Sequence, residues 1–69
     1  MKHKLYNAIR QAILAAARAA GIANANQFGE VMHAAGIMSK SLAADYWRGM
    51  HDITTAKAAA VLEYFNSQS

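Results

Sequence analysis

The chain has 69 residues, with seven Lys plus Arg against four Asp plus Glu, no cysteine and no proline. That length holds one domain at most, and the missing cysteines exclude disulfides and thiolate metal sites and fit a cytoplasmic protein. A net charge of +3 and a pI of about 9.6 match a basic nucleic-acid-binding domain, and match equally the ordinary solubility charge of a small domain.

A core of this size supplies little surplus stability, so a second copy of the chain is the first remedy to expect once disulfides are excluded. Heavy use of alanine and the lack of proline favour helix. No run alternates apolar and polar residues with β-branched character. The expected class is all-α, with four or five short helices in a single domain, and the small core leads to the expectation of a homodimer.

The first helix is expected over residues 1–20. Leu5, Ile9, Ala12, Ile13 and Ala16 recur at steps of three and four, and Gly21 ends the segment. Tyr6, Leu14 and Ala17 widen the apolar face. Either that width binds a sister chain, or Leu14 packs under the loop at Ile22. Arg10, Gln11 and Arg18 interrupt the apolar stretch, which argues against a membrane span and against a signal peptide after Met1-Lys-His-Lys4. A basic amphipathic helix can also lie on a membrane surface, but a face made mostly of alanine gives little insertion energy.

A helix pair is expected over residues 24–49. Asn24 can cap the first member, with Gln27 three residues later as in a capping box. Phe28, Val31, Met32 and Ala35 mark its apolar side, and Gly36 its end. Ser39 or Ser41 can cap the second member. Leu42, Ala43, Tyr46 and Met50 mark its buried side, with Gly49 as the stop. Tyr46 and Trp47 are adjacent, so one stripe cannot bury both. An outward Trp47 would suit a protein interface; otherwise the loop at His51 covers it. The last helix is expected over 54–66, capped by Thr54, with Ala58, Val61, Leu62 and Phe65 inside and a polar end that frays.

Residues 26–65 resemble the phage Cro and repressor-type helix-turn-helix family. The matching features are Gln27 opening a helix, the small Gly29, apolar Val31 and Met32, a turn with Gly36, a serine-led helix from Ser39, and Arg48-Gly49 closing it. The segment from Ile53 to Phe65 is similar to the family's following helix. Gly36 and Gly49 lie 13 positions apart, about one more than the family usually shows. Counting back from Gly36 puts Met32, not Gly29, at the family's small position, and both alignments hold only if the turn is stretched.

The resemblance implies that Ser39, Lys40 and Ser41 face the major groove, with Ala44 against a thymine methyl. Asp45 would accept from cytosine or repel phosphate. Asn26 and Gln27 would meet one phosphate strand at a helix start, and Arg48, His51 and Lys57 the other. Taken one by one, the same residues serve equally as caps and solvated charges. The expected function is a phage- or prophage-type regulator binding double-stranded operator DNA as a dimer. The alternative is a small interaction protein that uses the same fold on a host regulator.

Catalysis finds no support. Glu30 and His33 form one Glu-x-x-His, which di-iron bundles need twice, and His3 and His51 lie on other elements. No phosphate loop, nucleophile elbow or zinc spacing occurs. No enzyme activity, metal or cofactor is expected.

Overall fold

The computed structural model describes residues 2–68, with side chains from residue 7 onward. The expected contributions of Leu5 and Tyr6 to the first helix face, and the position of His3, lie outside the described side chains. The described chain is all-helical, with α1 Lys2–Ala19, α2 Ala25–Ala34, α3 Lys40–Arg48 and α4 Thr55–Asn66. None of these helices is long and apolar enough to cross a membrane.

Each later helix starts on the side chain the sequence offers. The amide of Gln27 donates to Asn24 Oδ1 at 2.9 Å, that of Leu42 to Ser39 Oγ at 3.2 Å, and that of Lys57 to Thr54 Oγ1 at 3.1 Å. Ser39, not Ser41, is therefore the cap of α3. Gln27 completes its box one residue further out than the standard arrangement: its Oε1 accepts from the Ala23 amide at 2.8 Å. Met38 and Ile53, which precede the caps of α3 and α4, are buried with Ala43 and Ala58 four positions beyond those caps. This is the spacing of a hydrophobic staple, which fixes the angle at which a chain enters its helix.

The first three helices end alike. Ile22 donates to Ala17 O and Gly21 to Arg18 O; Ile37 to Met32 O and Gly36 to His33 O; Met50 to Asp45 O and Gly49 to Tyr46 O. This pair of bonds is the Schellman closure, and it needs a left-handed residue at its pivot. At Gly49 φ is +82°, a value that L side chains rarely adopt.

α2 packs on α3, and α1 on α4. The core between the pairs is built on Ile13, Phe28, Met32 and Val61, all at 0 % exposure. The connectors contribute to it as well, through Ile22, Met38 and Ile53. The Cα radius of gyration is 10.9 Å, against about 11 Å expected of a packed domain of this length. A single copy thus reaches ordinary compactness.

Three expectations about faces need correction. On α1, Ala12 is exposed, while Leu14 and Ala17 are buried within the chain. The inward face runs through Ile13, Leu14 and Ala17, with Ile9, Arg10 and Ala16 half-buried beside it. Ala35 is exposed because α2 has ended at Ala34 and the chain is already turning. Met50 is 70 % exposed rather than buried, because the left-handed Gly49 breaks the helical phase just before it.

Candidate functional site

The α2–α3 pair holds most of the residues that the sequence singles out. The two helices come close at Gly29, which is buried. A Cβ at that position would stand 3.0 Å from Lys40 O and 3.4 Å from Lys40 Cα. Any side chain there would push the first turn of α3 away. The small residue required where the two helices meet is therefore Gly29 and not Met32, which is instead fully buried in the core. Residues 35–39 connect the two helices.

On α3 the inward positions are Ala43 and Tyr46. Ser39, Lys40, Ser41 and Arg48 are exposed, and Ala44 and Asp45 are half-buried. The two cations do not stand alone. Lys40 Nζ lies 3.9 Å from Glu30 Oε1, and Arg48 Nη1 lies 3.7 Å from Asp45 Oδ1. Ion pairs this exposed contribute little to stability, but each offsets a positive charge on the α3 surface. Glu30 thus faces Lys40. Among the described residues no three His, Cys, Asp or Glu side chains come together as metal ligands.

Asn26 and Gln27 are exposed in the first turn of α2. Gln27 Oε1 is engaged in the cap, which leaves its amide NH2 as the outward donor. His51 is exposed in the loop after α3, and Lys57 is half-buried in the first turn of α4. Neither has an ion pair among the described residues.

Trp47 is half-buried, and its cover differs from the expected His51 loop. Its ring centroid lies 5.4 Å from that of Phe28 on α2, and Arg18 Cζ from α1 stands 5.5 Å above it. A guanidinium at that range gains from the ring quadrupole. Tyr46, the adjacent aromatic, is 2 % exposed. Burial pushes its hydroxyl pKa up from the usual value of 10.0; nearby Arg10 works against that rise and Asp52 adds to it.

The residue that sequence reasoning missed is Arg10. It stood out only as an interruption of the apolar stretch in α1. In the fold its Nη2 donates to Trp47 O at 2.7 Å and its Nε to Tyr46 O at 3.3 Å. The contact spans 36 and 37 positions of chain, and no local pattern announces it.

The charge is also unevenly divided. The first 29 residues hold four Lys or Arg and no carboxylate, whereas the rest hold three and four. The basic character of the chain therefore belongs to its N-terminal part, while α2, α3 and α4 are nearly balanced. No family model matches the chain, and no curated protein or solved structure is significantly similar to it.

Proposed function

We propose that this chain is a DNA-binding transcription regulator of phage or prophage type, which as a dimer offers α3 to the major groove of operator DNA. The observation that carries the reading is the exposed run Ser39-Lys40-Ser41 at the start of a capped helix that rests on α2 at Gly29. In helix-turn-helix proteins the N-terminal residues of the second helix meet the base edges. Lys40 would donate to guanine and the serines to several bases. Asn26, Gln27, Arg48, His51 and Lys57 would hold phosphates, which sets register and strength rather than sequence preference.

Binding of the full chain to duplex DNA tests this. Affinity should fall steeply with salt, and one selected duplex should be preferred over random sequence. Lys40→Ala should weaken binding and blur the preference, whereas Lys57→Ala should weaken all duplexes alike. Equal binding by both variants and the wild type would overturn this assignment of the DNA face.

A second reading is favoured by one observation: Glu30 and Asp45 offset the two cations of the α3 surface. On that reading the chain is an interaction protein, and α3 meets a host regulator instead of DNA. It predicts no salt-dependent duplex binding and a stable complex with a protein partner.

A further inference from the structure

The two ends of α3 are held by different means. At its start the backbone lies against Gly29 of α2. At its end one side chain from α1 reaches across. The Arg10 guanidinium donates to the carbonyls of Tyr46 and Trp47, both in the last turn of α3. Tyr46 O already accepts from the Gly49 amide, but both carbonyls stand at the negative end of the helix dipole, where a cationic fork is favourable. The same guanidinium lies against Gly49, where a Cβ would stand 3.3 Å from Nη2. No carboxylate shares it within ion-pair distance among the described residues. Because α1 packs chiefly on α4, this fork, together with Arg18 over Trp47, ties one helix pair to the other.

We infer that Arg10 is a positioning residue for α3: its fork fixes the tilt and roll of that helix, and so the register in which Ser41, Ala44 and Arg48 are presented. The functional part of this inference rests on the DNA reading; the clamp itself does not. A fork spanning two acceptors has a defined orientation, whereas a lysine ammonium is a point charge on a flexible stem. Arg10→Lys therefore keeps the charge and loses the orientation.

The test uses the full chain and two probes: a 20-base-pair duplex selected from a random library on the wild type, and the unselected pool. Arg10→Lys should bind the selected duplex about tenfold more weakly, roughly the effect of one charge-assisted hydrogen bond to DNA lost from a misplaced α3, and the pool as before. Affinity unchanged on both probes, or reduced equally on both, overturns the inference. A wild-type measurement guards against a variant that does not fold. The Arg10 Nε–H should exchange with solvent at least about tenfold more slowly than that of exposed Arg48, because a bonded proton must first be freed; equal exchange overturns the clamp. If the wild type selects no duplex, the DNA reading falls, and the exchange rates alone decide whether Arg10 holds α3.

Discussion

Gly29→Ala sets two local energies against each other in a way that the structure resolves. Alanine in a helix interior is favoured over glycine by about 1 kcal/mol, so an unobstructed site would gain stability. The added Cβ, however, would meet Lys40 O at 3.0 Å and Lys40 Cα at 3.4 Å. Both are backbone atoms, so relief requires moving the first turn of α3, not turning a side chain. Overpacking of this kind costs about 1–3 kcal/mol. The clash should win, with a net loss of roughly 0–2 kcal/mol. Urea unfolding followed by circular dichroism would read it. With m of about 1 kcal/mol/M for a small domain, the midpoint should fall by up to about 2 M. Gly29→Val should fall further. A midpoint that rises by about 1 M in the alanine variant, the full propensity gain, would refute the reasoning and mean that α2 and α3 stand further apart.

The cap of α4 gives a simpler expectation: Thr54→Ala removes the acceptor for the Lys57 amide and should cost about 1 kcal/mol in the same assay. Alkaline pH should act through Tyr46. Its folded-state pKa is raised, chiefly by burial, above the unfolded value of 10.0. Stability from this group is thus fully present below pH 10 and is lost as pH rises through the folded value. Unfolding midpoints measured across that range should decline in the wild type and less in Tyr46→Phe; parallel declines would refute the assignment.

Much of the fold is legible because its signals are local. Asn24, Ser39 and Thr54 cap the helices they precede, and Gly21, Gly36 and Gly49 turn the chain where helical spacing stops. Phe28, Met32, Ala58, Val61 and Phe65 follow the helical period into the core. What stays hidden is tertiary. Ile22, Met38 and Ile53 lie in connectors, where no period marks a residue as buried. Arg10 reads as polar and outward until its acceptors arrive from α3. Trp47 is covered by residues from two other helices, which adjacency in sequence could not name. For the candidate site, the sequence supplied exposed Ser39, Lys40 and Ser41, but not the carboxylates that stand beside the two cations.

The division of labour along α3 has a practical consequence. The fold draws on Ser39, Ala43, Tyr46, Gly49 and the Lys40 backbone, while the side chains of Lys40, Ser41 and Arg48 are exposed, two of them in surface ion pairs. Substitutions at exposed positions away from such features usually change stability by no more than about 0.5 kcal/mol. A library randomised at those outward positions should therefore yield mostly folded members. The helix can be rewritten as a recognition surface while the scaffold that carries it stays untouched.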